Sequence, residues 1–218
     1  MKHENMSPER KKKIKAVLDK RQYDLTVVLE NIFDPHNYSA VLRSCDAVGI
    51  YEVYILITEK PVRKYVGRKS SASAYKWIKI HYFDDIDKCM QEVCGKYKNI
   101  LSSHLESKAQ SLYDFDLTES TALLFGNEQV GLSDAICKYA NGNFVIPQMG
   151  MIQSLNISVA CAVSLYEAFR QKNLAGHYDA PALPREVYDK TKKLWFDNKP
   201  LSDDIIIDIR EDMKKKGI

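Results

Sequence analysis

One segment near the middle of the chain constrains the fold more than any other: Leu-Phe-Gly-Asn-Glu-Gln-Val-Gly-Leu-Ser at positions 124–133. It follows an apolar run from Thr121 that is typical of a buried strand, and it leads into a helix predicted to begin near Leu132. Strand–loop–helix junctions in α/β proteins bind small ligands, because loop amides and a helix N-terminus point towards them. A triphosphate-binding loop needs a lysine after its second glycine, and Leu132 stands there instead, which argues against such a site.

Strands and helices alternate along the chain, which predicts an α/β fold with a mostly parallel sheet and helices on both faces. Strands are predicted over residues 25–29, 52–57, 77–82, 100–103, 121–125 and 144–146. Helices are predicted over about residues 8–21, 40–48, 84–96 and 154–171, with Ser7 and Ser154 as the N-caps of the first and the last. We expect three regions: a basic N-terminal helix (1–22), a central domain (23–174), and a linker with a C-terminal helical extension (175–218).

Composition limits the class of protein. None of the five cysteines forms a Cys-x-x-Cys pair, which fits reduced cytosolic thiols better than a disulfide framework. The histidines and cysteines show no zinc spacing, so no metal is expected. The chain has no apolar run of about 18 residues and no signal-peptide core, so we expect a cytoplasmic protein with no membrane contact.

Positive charge is concentrated in two segments, although the net charge is only +3. Residues 1–22 hold eight Lys and Arg against three acids, and a second basic group lies within residues 60–69. This distribution is typical of a surface that binds a phosphate backbone, and a merely solubilising surface is the alternative. The candidate contacts to a phosphate backbone are Lys11, Lys12, Arg21, Arg63, Lys64 and Arg68.

Polar residues also form three separate blocks, at residues 31–43, 126–133 and 146–160. In the first block, Asn37 and Arg43 are six residues apart, so on a helix they lie within about 60° of one another around its axis.

Arg43 has apolar neighbours in sequence, and burying an arginine is costly unless it has a function or an acidic partner. Glu128 is the candidate partner, and a plain Arg43–Glu128 salt bridge is the structural alternative. Ser154 and Asn156 open an otherwise apolar helix. An amide-rich pocket with one cation and one acid fits a nucleoside-like ligand, but it does not name a reaction.

Taken in order, the three blocks resemble the three motifs of the SPOUT class of RNA methyltransferases, and in particular its TrmH-type tRNA ribose 2′-O-methyltransferases. The second motif is complete from Phe125 to Ser133. The third is present except that Gln148-Met149-Gly150 departs from the family's Met-x-Gly. The first motif's Asn-x-x-Ala-x-x-Arg is present as Asn37, Ala40 and Arg43.

This resemblance covers about residues 10–200. It implies a deep trefoil knot in the C-terminal half of the domain, S-adenosylmethionine as methyl donor, and a homodimer with the site near its interface. The implied catalytic residues are Arg43, Asn37, Glu128, Ser154 and Asn156. The implied donor-binding residues are Ser103, Gly126, Asn127, Glu128, Gln129, Val130, Ile146 and Leu155.

The resemblance therefore predicts an enzyme that methylates a ribose 2′-hydroxyl of tRNA, with guanosine 18 in the D-loop as the expected target. Ribosomal RNA or another tRNA position is the alternative substrate. A catalytically silent RNA-binding protein on the same scaffold is the alternative from a different class, and the intact catalytic set counts against it.

Overall fold

The fold is built on a single sheet. The computed structural model describes residues 6–59, 74–104, 109–152 and 154–201. Within these ranges the sheet has seven strands in the order β3-β2-β1-β6-β4-β7-β5, and every pairing is parallel. The strands are β1 (Leu25–Glu30), β2 (Glu52–Leu56), β3 (Lys79–Phe83), β4 (Asn99–Ser102), β5 (Gln110–Ser111), β6 (Thr121–Phe125) and β7 (Gly142–Val145).

Helices cover both faces of this sheet, as the sequence predicts. The described helices are α1 (Pro8–Leu18), α2 (Pro35–Ala47), α3 (Ile86–Lys96), α4 (Asp134–Cys137), α5 (Ile157–Leu174) and α6 (Arg185–Phe196). Alternate residues of β1 enter opposite cores: Val27 and Leu29 pack with α2 and α5, and Val28 packs with α3 and α4. A strand buried on both faces reads as a continuous apolar run, which explains why β1 shows no alternation of polar and apolar residues.

Most element boundaries agree with the sequence predictions, but α2 begins five residues earlier than predicted. Asp34 caps it by accepting a hydrogen bond from the His36 N–H at 2.8 Å, and Pro35 occupies the first turn. The sequence pattern predicts a break after a strand here, whereas the segment begins a helix, because the same residue types occur in helix caps and in turns. The two-residue strand β5 was not predicted.

The two ends of the described chain pack against each other. Ile14 and Leu18 of α1 share a buried cluster with Tyr188 and Trp195 of α6. Residues 175–184, predicted as a linker, also pack on the domain: the buried Tyr178 hydroxyl donates to the Val48 carbonyl at 2.7 Å. No helix in the described ranges is long and apolar enough to cross a bilayer.

Arg21 is not the exposed phosphate contact that its charge predicts. Its guanidinium is fully buried, forms an ion pair with Asp46 and donates to the Ile50 carbonyl at 3.0 Å. Only the exposed residues of a basic segment can therefore be assigned to contacts with a phosphate backbone. Lys11 and Lys12 are exposed on α1, while Arg63, Lys64 and Arg68 lie outside the described residues.

A buried carboxylate anchors α3 to the sheet. Glu52 is 2% exposed, lies at the amino end of β2 and pairs with Lys96. It also accepts hydrogen bonds from the Tyr97 hydroxyl at 3.0 Å and from His81 Nε2 at 3.1 Å. Burial alone would raise the pKa of Glu52, but the hydrogen bonds from His81 and Lys96 outweigh it and lower the pKa to about 2.

We predict that this pair makes the fold sensitive to acid. Because the folded pKa is depressed below the ordinary 4.5, the stabilisation is complete above that pH and is lost as the pH falls towards 2. Over this window Glu52 contributes about 3 kcal/mol of pH-dependent unfolding free energy. Urea unfolding at several pH values should show a less stable Glu52→Gln protein near pH 7 and a shallower loss of stability in acid. An unchanged pH slope in the variant would contradict this account.

Candidate active site

Four strands end at one place. Because the sheet is parallel, the carboxyl ends of β1, β4, β6 and β7 lie at the same edge, and the loops that follow them face a common cleft. The cleft has a volume of about 540 Å³. That size is within the usual range for a site that binds a small organic ligand.

The loop from Gly126 to Gly131 has a backbone that only glycine permits at both ends. A Cβ atom on Gly126 would lie 2.2 Å from the Gly131 carbonyl carbon, and Gly131 itself has φ of +75°. Asn127 holds the loop: its side chain accepts the Gln129 N–H at 2.8 Å and donates to the Asn31 carbonyl at 2.9 Å. The loop is therefore fixed to the end of β1.

A residue that the sequence analysis did not single out joins the end of β1 to the start of α4. Glu30, the last residue of β1, is 1% exposed and accepts two hydrogen bonds from Ser133, from the N–H at 2.8 Å and from the hydroxyl at 2.6 Å. Ser133 also caps α4. A carboxylate at the end of an apolar strand was the available signal, because a buried charge needs a partner.

One asparagine connects all three motifs. Asn37 Nδ2 donates to Glu128 Oε1 at 2.6 Å, and Asn37 Oδ1 accepts from Asn156 Nδ2 at 3.0 Å. An amide can do both because it carries a donor and an acceptor on one planar group. The first motif on α2 is thus held between the second motif and the third.

Asn156, not Ser154, is the N-cap of α5. Its side-chain oxygen accepts the Ser158 N–H at 2.9 Å and the Ser158 hydroxyl at 2.6 Å. The prediction of a Ser154 cap is therefore wrong. Ser154 lines the cleft instead, in the loop that precedes the helix.

The cleft brings together every residue predicted to bind the methyl donor. Its polar wall comes from the loops after β4 and β6, and its apolar wall includes Phe144, Ile157 and Ala160. His104 and Gln148 also line the cleft. In the sequence, the only indication of this was that both residues lie close to the motifs. The predicted donor-binding residues that line it are Ser103, Gly126, Asn127, Glu128, Gln129, Val130, Ile146 and Leu155.

Four of the five predicted catalytic residues lie at the cleft, and Arg43 lies apart from it. Glu128, Ser154 and Asn156 line the cleft, and Asn37 is bonded to two of them. Arg43 is exposed on α2, about 9 Å along the helix axis from Asn37. The Arg43–Glu128 salt bridge does not form in the described part of the chain, where Glu128 bonds to Asn37 instead.

Comparison with known proteins now identifies the family. Residues 24–166, well over half of the chain, match the SpoU rRNA Methylase family. The chain belongs to this family. Its match runs from just before β1 into α5, so it includes the sheet and all three motifs at the cleft.

Several relatives in the SpoU family are tRNA (guanosine(18)-2′-O)-methyltransferases. The protein from Thermus thermophilus is 39% identical over 186 residues, which cover 85% of this chain and 95% of that one. The protein from Escherichia coli strain K12 is 36% identical over 173 residues, which cover 79% and 75%. The solved Aquifex aeolicus TrmH/SpoU tRNA modifying enzyme superposes with a TM-score of 0.79 at 36% identity, covering 86% of this chain and 95% of that one.

Two glycines of the cleft loops provide a matched test of the site geometry. We predict that Gly126→Ala abolishes detectable methyl transfer, because the added Cβ must displace the Gly131 backbone. Gly150→Ala should retain most of the activity, since a Cβ there has no atom within 4 Å. Both variants are to be assayed for methyl transfer and for thermal unfolding. Equal losses in the two would show that the loop geometry does not decide activity.

Proposed function

We propose that this protein transfers a methyl group from S-adenosylmethionine to the ribose 2′-hydroxyl of guanosine 18 in tRNA. The main support is the pair of hydrogen bonds that links Glu128, Asn37 and Asn156, because it holds the three motifs of a ribose methyltransferase beside one cleft. The choice of tRNA rests on relatives that are matched over nearly their whole length.

The residues at the cleft fit the proposed donor. A cleft with apolar walls suits an adenosine group, particularly where the backbone can approach the ligand closely. At Gly126 the backbone is packed too tightly for any side chain. The eight donor-binding residues named above would hold it. When bound, S-adenosylmethionine supplies a sulfonium methyl that is already electrophilic, so the task of the protein is placement and charge stabilisation.

The Asn37 amide supports that task by fixing Glu128 at the rim of the cleft. Arg43 is proposed to stabilise negative charge that develops on the ribose oxygen. A guanidinium stays protonated well above pH 12, so it is poorly suited to remove the hydroxyl proton but well suited to this electrostatic role. Because Arg43 is exposed beyond the cleft, the RNA would lie over the outer face of α2.

We expect Arg43→Ala to lose methyl transfer by about a hundredfold or more while it keeps its affinity for S-adenosylmethionine. Arg43→Lys, which keeps the charge without the planar fork, should recover part of the rate. Single-turnover transfer to tRNA and calorimetric titration with the donor measure the two properties separately. Comparable turnover in Arg43→Ala would remove Arg43 from the mechanism.

The homodimer is part of the proposal. Large apolar side chains are exposed before and along α5: Met149 is 97% exposed, Met151 100% and Tyr166 52%. Large exposed apolar side chains are typical of an interaction surface, and a second copy of the chain would cover those before and along α5. Arg43 on the neighbouring α2 would then lie near the interface.

Sedimentation tests the dimer. Val159 on α5 is 47% exposed. An aspartate there would place a buried charge in the dimer interface, so we expect Val159→Asp to sediment as a monomer. Tyr113→Asp alters a side chain of similar exposure near β5 and serves as the control. A wild-type chain that sediments as a monomer at micromolar concentration would contradict the proposal.

We also propose that the C-terminal half is knotted, as in the SPOUT class. Support comes from the loops after β6 and β7, which line one cleft although β4 separates their strands. Knots are rare in proteins, so this is a specific expectation. An experimental structure that traces residues 121–174 without a threaded loop would refute it. The proposed substrate makes the cytoplasm the expected compartment.

The deciding experiment is methyl transfer from labelled S-adenosylmethionine to an unmodified tRNA transcript, with nuclease mapping of the product. We expect 2′-O-methylguanosine at position 18. The SpoU family also contains ribosomal RNA enzymes, such as one from Xanthomonas axonopodis that is 34% identical over 148 residues, or 59% of its length. Transfer to ribosomal RNA fragments alone would identify ribosomal RNA, and not tRNA, as the substrate. No transfer to either RNA would favour a catalytically silent RNA-binding protein.

A further inference from the structure

A second cavity lies at the opposite edge of the sheet from the cleft. It has a volume of about 600 Å³, and its wall includes Arg10, Lys13, Arg21, Trp77 and Trp195. We call it the tryptophan pocket. Trp77 precedes the amino end of β3, whereas the cleft lies at the carboxyl ends, and β1 with its six residues spans about 20 Å between the two edges.

Two aromatic rings form one wall of this pocket. The Trp77 and Trp195 ring centroids are 5.2 Å apart, and the ring planes are nearly perpendicular at 89°. Trp195 is fully buried, and Trp77 is partly exposed. Trp77 is therefore the ring on which a planar guest can stack.

Two buried donors on the pocket wall have no hydrogen-bond partner among the described residues, although the Arg21 guanidinium also lies over the Trp195 ring, 5.3 Å from its centroid. The two donors are Arg21 Nε and Trp195 Nε1, and both side chains are fully buried. The other Arg21 nitrogens are satisfied by Asp46 and the Ile50 carbonyl. A buried donor without a hydrogen bond is unfavourable, so two of them beside one cavity favour a guest that carries acceptor atoms.

The rim of the pocket is basic. Arg10 and Lys13 are exposed on α1 and line the pocket. Of the two acids that also line it, Glu9 forms no ion pair with another of the described lining residues. The other lining acid, Asp46, is already paired with Arg21. An anionic group would therefore find two exposed cations beside an aromatic wall, although the Arg10 guanidinium also donates to Asn198 Oδ1 at 3.3 Å.

We propose that the tryptophan pocket holds one unpaired nucleotide of the RNA substrate, away from the ribose that reacts. The base stacks on Trp77 and its acceptor atoms face the wall formed by Arg21 and Trp195, while its phosphate lies between Arg10 and Lys13. Stacking on an aromatic side chain together with cation–phosphate contacts is how proteins bind unpaired RNA bases. The inference rests on the proposed function, because it assumes that RNA is the substrate.

This position assigns the pocket a role in binding and not in the chemical step. A nucleotide held about the length of β1, roughly 20 Å, from the cleft of the same chain cannot touch the reacting atoms in that cleft. It fixes the RNA body, so its loss should raise the KM for tRNA and leave kcat nearly unchanged.

The chain provides its own probe, because its two tryptophans both line this pocket. The full-length protein is titrated with an unmodified tRNA transcript while tryptophan fluorescence and filter retention are recorded in parallel. We expect a fluorescence change that saturates with the same Kd as retention. Retention that saturates with no fluorescence change would overturn the inference.

Paired variants assign the signal to the pocket. Trp77→Leu should raise the KM for tRNA about tenfold, within the range for loss of one stacked base, and Trp77→Phe should restore most of it. Arg10→Gln with Lys13→Gln should also raise KM about tenfold and flatten its salt dependence. Lys88→Gln with Lys98→Gln removes the same charge from exposed positions that are neither candidate RNA contacts nor part of the pocket wall, and it should leave KM nearly unchanged and preserve the fluorescence change.

The outcomes separate this inference from the proposed function. If the wild-type protein neither retains nor methylates tRNA, the proposed function fails and the inference fails with it. Suppose instead that tRNA is methylated, that thermal unfolding shows the Trp77→Leu protein to be folded, and that this variant keeps the wild-type KM. In that case the inference alone fails. If free guanosine monophosphate gives the same fluorescence change at equal concentration, the pocket is a site for a free nucleotide and the RNA anchor is refuted.

Discussion

The site depends on one amide. Asn37 donates to Glu128 and accepts from Asn156, so a single side chain sets the distance between segments that come from three separate parts of the sequence. Aspartate would lack the donor and leucine would lack both groups. The surrounding contacts make this bridge possible: Asn127 binds the end of β1, and Glu30 holds Ser133. The cleft is thus positioned by hydrogen bonds among its loops as much as by the sheet beneath them.

The sequence predicted the sheet better than the boundaries within it. Strands such as 121–125 were readable because fully buried parallel strands are continuous apolar runs. The start of α2 was missed because Asp34 and Pro35 serve equally well in a turn and in a helix cap. The two-residue β5 has no periodicity to detect. The Ser154 cap failed for a related reason, since Ser and Asn both cap helices and tertiary contacts select Asn156.

For the site, the motifs predicted which residues meet at the cleft, but charge patterns were a poor guide to exposure. Arg21 belongs to a strongly basic segment, yet it is buried against Asp46, which lies 25 residues away in sequence. Arg43 has apolar neighbours in sequence, yet it is exposed. Both outcomes arise because the direction of a side chain depends on packing between elements, such as α1 against α6 and α2 against α5, which composition does not encode.

Asn156 links the integrity of the site to that of the fold. Its oxygen caps α5, the longest described helix, and its nitrogen binds Asn37. Removing the whole side chain would therefore loosen a core helix and open the site at once, and the two effects would be confounded in any assay. An aspartate at this position would keep the oxygen and lose the nitrogen. The helix cap and the hydrogen bond to Asn37 can thus be separated by changing a single atom.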